Sequence, residues 1–476
     1  MYKKEYEMKF LRKCRLAILV GCIILLLTGF SFGDESVLPH VPWKLEGANE
    51  RIEKHRKAAI KLKIKLENGV TIPEQTIVQV EQINHNFNWG GSLTQVWTLH
   101  KHKKFKAYLD AFKDIFNYST IGFYWNWHEK TQGKWELSDY CKNALSFAQK
   151  NNMVIRGHPL MWHSTLPNWL NRSEDEDTLT KLVDAHVEFL INKYPQIDQW
   201  DLYNEAPSIN KTYIKTNNPG KRYLMHNGGL EKGMLHIYKT ALKANKKGSY
   251  LVNHHNIDDE DYHTMIKYIL EKGIEIPAIG IQTHMFEKDQ VLEEEYLWEQ
   301  LERYAQYKVP IHLSEVTVLS SKHFEDWKEL SEWEAECQEA RRNGRYLTRP
   351  STREGERYQA EYLRDFYTLA FSHPEVDTIV YWDVSDHHFW RGSQGGLLDQ
   401  DHNPKPAYKI LKNLIKNKWW TRETIVAEKG TVQFRGFLGS YRIKLKIGND
   451  YYTTEFNLNK KNAGKSSSVL LNKIRT

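Results

Sequence analysis

Eight apolar, strand-like runs, each ending in polar residues and each parted from the next by a helical pattern, most constrain what this 476-residue chain can fold into. They are HNFNWGG (85–91), YSTIGF (118–123), MVIRGHPLMW (153–162), IDQWDLYNE (197–205), SYLVNHHN (249–256), AIGIQTHM (278–285), VPIHLSEV (309–316) and DTIVYWDVSD (377–386). Between them lie stretches such as FKAYLDAFKDIF, TLTKLVDAHVEFLINKY, GMLHIYKTALKAN, YHTMIKYILEKG and EYLRDFYTLAFSHP. Their apolar residues recur at i, i+3 and i+4, which buries one face of a helix. Eight alternations over about 330 residues predict an α/β chain folded as a (β/α)8 TIM barrel. An open doubly wound sheet would ordinarily carry a Gly-rich phosphate loop after its first strand, and none stands here.

The ends of the chain differ from this middle. Residues 1–15 hold six Lys and Arg, and LAILVGCIILLLTGFSF then runs without a charge to Gly33. A basic segment, an apolar run shorter than the ~20 residues of a spanning helix, and a small-residue exit predict a signal peptide over 1–33. LVGC, ending at Cys22, has the look of a lipoprotein signal but sits early in the run. The expected location is therefore secreted or periplasmic, with surface anchoring as the alternative. Without residues 1–33 the net charge falls from +7 to +3. No long basic stretch interleaved with aromatics remains, so nucleic acid is not an expected partner. Of the four Cys, only Cys141 and Cys337 lie beyond the leader; they could form one disulfide, which spacing alone does not decide, and no CxxC pair exists for a zinc knuckle. A helix and two alternating strands joined at ENG are expected over 43–84, the barrel over 85–417, and a β-rich extension over 418–476. The extension reads as three strands, too few to stand alone. They are expected to form, with the N-terminal strands, a small accessory layer beside the barrel, followed by a frayed KKNAGKSSS.

In a barrel of this kind the C-terminal ends of the strands build the active site. That gives a reason for WDLYNEAP (200–207), where a strand ends on Asn204 and Glu205 and breaks at Pro207, and for IHLSEV, which places Glu315 near the end of the seventh strand. Two carboxylates at one barrel mouth can cleave a glycosidic bond, one protonating the leaving oxygen and the other attacking the anomeric carbon. Aromatic residues make up 13% of the chain, with 16 Trp, a composition that serves stacking on sugar faces as well as core filling. Histidines in LHKH (His100, His102), NHHN and DHHF raise a metal-dependent hydrolase instead. That chemistry needs ligands converging from several strand ends, and LHKH lies in a basic, solvated stretch. No metal and no cofactor are expected.

At these motifs the chain resembles glycoside hydrolase family 10, the xylanase family. WDLYNEAP is similar to its acid/base segment and IHLSEV to its nucleophile segment. GHPLMWHSTLPNWL, IGIQTHM and YWDVSDHHFW are similar to its third, sixth and eighth strands, and GLLDQDHNPKPAY to the stretch that closes the barrel. The resemblance runs in order over roughly 50–450. It implies a retaining endo-β-1,4-xylanase with Glu205 as general acid/base and Glu315 as nucleophile. It also implies that His284 hydrogen-bonds the nucleophile, that Asn204 holds the sugar 2-hydroxyl, and that His158, Trp162, Gln282, Trp382 and Trp390 complete the substrate-binding set. The implied partner is xylan or a related hemicellulose, met by a monomer. The alternatives are a hydrolase of another or heavily substituted β-linked polysaccharide and a non-catalytic carbohydrate-binding barrel; the presence of both glutamates speaks against the latter.

The chain departs from the family pattern at the second strand. Gly122 and Phe123 stand where a Glu-Asn pair is expected, and Asn126 stands near the position of a Lys. Phe123, Tyr124 and Trp125 are expected to make a more apolar glycone pocket suited to decorated or non-xylose sugars. Thr317 stands where an Asp often follows the nucleophile, and NHHN replaces the usual NDYN, changes expected to lower the rate or shift the pH optimum. The charged insert at 320–355 is expected to be a solvated helix, with a lid or a wall of the cleft as the alternative.

Overall fold

In the computed structural model, residues 38, 40, 43–172 and 175–474 are described. The expected leader, residues 1–33, lies outside them. Eight parallel strands close into a barrel: β1 (Asn88–Ser92), β2 (Tyr118–Gly122), β3 (Val154–His158), β4 (Gln199–Asn204), β5 (Ser249–His254), β6 (Ile279–Ile281), β7 (Ile311–Val318) and β8 (Val376–Asp383). Neighbours pair in order, and β8 pairs with β1 to close the ring. A helix follows each strand: α1 (Phe105–Ile115), α2 (Asp139–Lys150), α3 (Glu176–Lys193), α4 (Leu230–Ala244), α5 (Glu260–Glu271), α6 (Glu294–Ala305), α7 (Arg353–Ser372) and α8 (Pro406–Asn413). Strands in such a sheet are covered on both faces, so β7 is buried at every position. Helix starts are set locally: the Asp175 carboxylate accepts from the Thr178 N–H and the Thr352 hydroxyl from the Gly355 N–H.

The barrel interior holds a buried ion pair. Arg156 on β3 and Asp201 on β4 meet at 2.6 Å with no exposure of either side chain. Burial pushes the Asp201 carboxyl up, but the charge of Arg156 and the hydrogen bond from His158 hold it below the ordinary carboxylate value. Beside them Gly157 leaves space for Trp200; a Cβ there would lie 2.3 Å from the indole ring.

The N-terminal strands Lys57–Leu66 and Ile77–His85 do not pair with each other as a turn at ENG would imply. Both enter a seven-stranded sheet with Arg422–Val426, Thr431–Phe437, Gly439–Ile447, Asp450–Leu458 and Ser466–Lys473. The extension therefore has five strands instead of three, and the expected frayed end is wrong. Ser466–Lys473 pairs in parallel with Lys57–Leu66, a partner more than 400 residues distant that local pattern does not reveal. The sheet surrounds its own core, including Leu62, Val80, Phe434, Tyr441, Ile443 and Leu471. It joins the barrel at the strand starts: Arg56 donates to the carbonyls of Phe371, His373 and Val376, and Trp89 stacks on Trp419 at 5.3 Å. The accessory sheet thus packs at the end of the barrel opposite the strand tips. Cys141 and Cys337 are both free thiols.

Two stability outcomes are expected. Leu62→Ala should cost about 2–5 kcal/mol in denaturant unfolding, because it opens a cavity in the accessory core, whereas Lys63→Ala on the exposed face should stay within about 0.5 kcal/mol. Asp201→Leu should cost about 3–5 kcal/mol by leaving Arg156 charged and unpaired. Because the folded carboxyl is depressed, the Asp201 contribution is complete above its unfolded value of about 4 and is lost as pH falls through the folded value, so the penalty of the variant should shrink in acid.

Candidate active site

The tips of β3 to β8 bring both glutamates and the seven residues of the expected substrate-binding set into one connected cluster. Two short strand extensions place two of them. Met161–Trp162 pairs with the end of β4 and sets Trp162 beside Asn204, while His284–Met285 pairs with β7 and sets His284 beside Thr317. Main-chain bonds then stitch the tips together. The Glu205 N–H donates to the Asn253 carbonyl at 2.8 Å, that of Gln282 to His254 at 3.0 Å, and that of Glu315 to Gln282 at 3.1 Å.

Glu205 and Thr283 adopt the left-handed conformation, with φ of 57° and 55°. For non-glycine residues this costs about 1–3 kcal/mol and persists where the surroundings over-determine it. At Glu205 it turns the chain out of β4 into a short 3-10 helix over Ala206–Asn210 with Pro207 in its first turn, and so aims the carboxylate over the mouth.

The two glutamates have different surroundings. Glu315 is 3% exposed. Its Oε1 accepts from the Asn253 amide at 2.8 Å, and its Oε2 lies 3.2 Å from His284 Nε2. His284 Nδ1 in turn lies 2.9 Å from the Thr317 hydroxyl. Burial pushes the His284 imidazole below its ordinary value against the pull of Glu315. A neutral ring donating through Nε2 and accepting the Thr317 hydroxyl at Nδ1 satisfies both bonds. Glu205 is more open. Its Oε1 accepts from Gln282 at 2.8 Å and Asn204 at 3.3 Å, and its Oε2 accepts from Trp162 Nε1 at 3.2 Å, with His255 Nδ1 at 3.8 Å. Burial pushes the Glu205 carboxyl up, while the charge of His255, the Gln282 hydrogen bond and the charges of His163 and His254 bring it below its ordinary value. His255 and His163 are themselves lowered by burial, His163 to about 4, so their pull operates only in solution acidic enough to protonate them.

Asn253 links the two halves, donating also to Asn204 Oδ1 at 2.8 Å. Sequence reasoning missed it, although it is a polar residue at the tip of a barrel strand. Asp201 was missed as well; it holds His158 Nδ1 at 2.6 Å, and that nitrogen lies 3.9 Å from Glu315. The signal was a charge inside a doubly buried strand, which demands a partner. Trp382 meets the rings of His158 and His284 at 5.3 and 6.1 Å, and Trp390 meets His284 at 5.4 Å.

The apolar pocket expected at the second strand is corrected in part. Phe123 packs outward on Tyr194 and Trp200, and Trp125 stacks on His186 at 3.6 Å, both away from the mouth. Only Tyr124 of the three turns to the site, against His158 and Trp162. The insert supplies a wall. Its helix, Trp327–Arg342, buries Leu330 against Phe286 and Phe389, and Trp333, Glu334 and Arg341 hold the main chain of Trp390 and the main chain and guanidinium of Arg391. Asp383, pushed up by burial to about 7, accepts from the Trp390 N–H at 2.8 Å and tethers the same loop.

Rings of His102, His387 and His402 lie 4.5–5.9 Å apart, yet among the described residues no three His, Cys, Asp or Glu converge as a metal would require.

Comparison with known proteins bears on the fold and the family. Endo-1,4-beta-xylanase B of Thermotoga neapolitana is 25% identical over 367 residues, covering 73% of this chain and 92% of that protein. Anti-sigma-I factor RsgI6 of Acetivibrio thermocellus is 23% identical over 433 residues, covering 88% of this chain and 49% of that one. The crystal structure of xylanase 10B from Thermotoga maritima superposes with a TM-score of 0.55 at 20% identity, covering 70% of this chain and 96% of that chain, a likeness that speaks to fold. The model of Glycosyl hydrolase family 10 matches residues 81–414, the barrel with both glutamates, and the chain therefore belongs to that family.

Proposed function

We propose that the chain is a retaining endo-β-1,4-xylanase that cuts internal bonds of xylan by double displacement. The observation that carries this reading is the pair of glutamates at the tips of β4 and β7, joined through Gln282, Asn204 and Asn253 but differently solvated. Glu315, with a donor on each oxygen, attacks the anomeric carbon. Glu205, facing the cleft, gives its proton to the leaving glycosidic oxygen. A glycosyl ester on Glu315 results. Water then attacks that ester, Glu205 takes the water's proton, and Glu315 is released with configuration retained. In this reading Trp382 and Trp390 stack on sugar rings, and Asn204, beside Glu205, holds the 2-hydroxyl of the reacting sugar.

With Gly122 and Phe123 in place of a polar pair, Tyr124 is the group left to meet the glycone sugar. Arabinoxylan or glucuronoxylan is therefore expected to be cut faster than plain linear xylan. The reading also places the protein outside the cytoplasm, where its polymer is, in keeping with the basic and apolar leader; N-terminal sequencing of the exported protein checks this.

A second reading has one observation in its favour. The 433-residue match to an anti-sigma factor is longer than the 334 residues of the family match, so it takes in part of the accessory sheet. A barrel that binds polysaccharide without cutting it would match in the same way.

Product analysis by mass spectrometry on linear xylan, arabinoxylan, glucuronoxylan and mixed-linkage glucan separates the two. Short oligosaccharides are expected from the wild type, with turnover lost by about 10⁴-fold or more in Glu315→Ala while ligand binding persists. Glu205→Ala should lose about 10²–10⁴-fold on xylan and far less on a dinitrophenyl glycoside, whose leaving group needs no proton. Wild-type binding without products from any polymer would favour the non-catalytic carbohydrate-binding barrel.

A further inference from the structure

We propose that His255 is a positioning residue for Glu205, its charge following that of the glutamate so that Glu205 is presented as an acid in one chemical step and as a base in the other. This rests on the reading of Glu205 given above.

The geometry singles out His255 from its neighbour. His254 is wholly buried, and its Nε2 lies 3.2 Å from Asp259, which Lys211 also holds at 2.9 Å. His255 turns the other way. Its Nδ1 lies 3.8 Å from Glu205 Oε2, the oxygen not taken by Gln282, and its side chain is 42% exposed on the cleft wall. The spacing is anchored by the main chain, because Glu205 bonds to Asn253, two residues before His255. At this distance an imidazolium and a carboxylate each favour the charged form of the other, whereas a neutral imidazole leaves the carboxyl to its burial.

The groups around the pair set its balance. Glu205 faces His255 and His254 from the tip of β5, His163 from the loop after β3, and Gln282 from the tip of β6. His255 faces Glu205, His254, Asp259, and Arg391 from the loop after β8. Burial, His254 and Arg391 work against a charge on His255, while Glu205 and Asp259 work for it. The imidazole therefore holds a proton best when Glu205 has lost its own. Glu205 gives its own proton to the leaving oxygen; His255 then takes a proton from solvent and stands as an imidazolium beside the ionised carboxylate while water attacks. Once Glu205 has taken the proton of that water, His255 returns its proton to solvent, and the neutral imidazole leaves the carboxyl protonated for the next departure. A phenol, the side chain of the NDYN pattern at this position, carries no charge over the same range.

The test uses the full chain with ¹³C-labelled glutamate carboxyls, the Glu205 signal being the one lost in Glu205→Gln. His255→Tyr should move the Glu205 titration to higher pH, and His255→Lys should move it to lower pH. In parallel, the alkaline limb of kcat/KM on a xylo-oligosaccharide should move in the same two directions. The ratio of kcat/KM at about pH 8 to that at about pH 6 should change about threefold or more, while a dinitrophenyl glycoside shows no such movement. Titrations that stay at the wild-type position, or that move the same way in both variants, would overturn the proposal, since loss of packing does not depend on the sign of the new charge. Opposite shifts in the NMR titration with no wild-type turnover on any glycoside would keep the charge coupling of His255 to Glu205 and refute the hydrolase reading, and with it the two catalytic steps that the coupling is proposed to serve.

Discussion

Asn253 is the residue on which the geometry of the mouth depends. Its carbonyl fixes the main chain of Glu205, its amide donates to both Asn204 and Glu315 at 2.8 Å, and its Oδ1 accepts the Ser314 hydroxyl at 2.6 Å. One side chain thus sets the tips of β4, β5 and β7 against each other. The arrangement reaches back into the barrel through Gly280, where a Cβ would meet Asn253 Oδ1 at 2.5 Å. Amide hydrogen bonds out of contact with water are strong and directional, and leaving one unmade costs the full desolvation of the group. A carboxylate pair held in this way is preorganised rather than assembled when substrate arrives.

Beneath Asn253 the Arg156–Asp201 pair serves His158 in the same manner. A buried ion pair contributes little net stability compared with well-packed apolar residues, so its presence calls for another reason. Here Asp201 orients the His158 ring, which stands 3.9 Å from Glu315 and against Trp382. The strained φ values at Glu205 and Thr283 belong to the same economy of position: two strand tips leave the regular ladder where they must present side chains, and the stitched main chain around them holds the distortion.

Outside this centre the wall is made by segments distant in the chain. The insert after β7 backs the Trp390 loop, Asp383 tethers it from β8, and Thr317 meets the His284 ring where an Asp is common in the family. A hydroxyl there supplies a hydrogen bond without a charge. That fits a neutral His284, lowered by burial, in place of an ion pair. The site chemistry therefore departs from the family pattern at the supports, while the two carboxylates stay in place.

The eight strands and the eight helices between them were legible in the sequence because each buries one stripe or two faces, and burial prints its period on neighbouring residues. Glu205 and Glu315 were legible because a polar residue at the end of an apolar run stands out. Pairing across long separations left no such print. Local pattern did not show that Ser466–Lys473 joins Lys57–Leu66, or that Phe123 and Trp125 face away from the mouth while Tyr124 faces it. Aromatic composition is the same whichever way a ring turns. The partners of Asn253, Asp201 and His255 were decided in three dimensions alone, because a hydrogen bond or a charge acts over a few ångströms of space, and only the closed barrel brings the tips of β3 to β8 within that range.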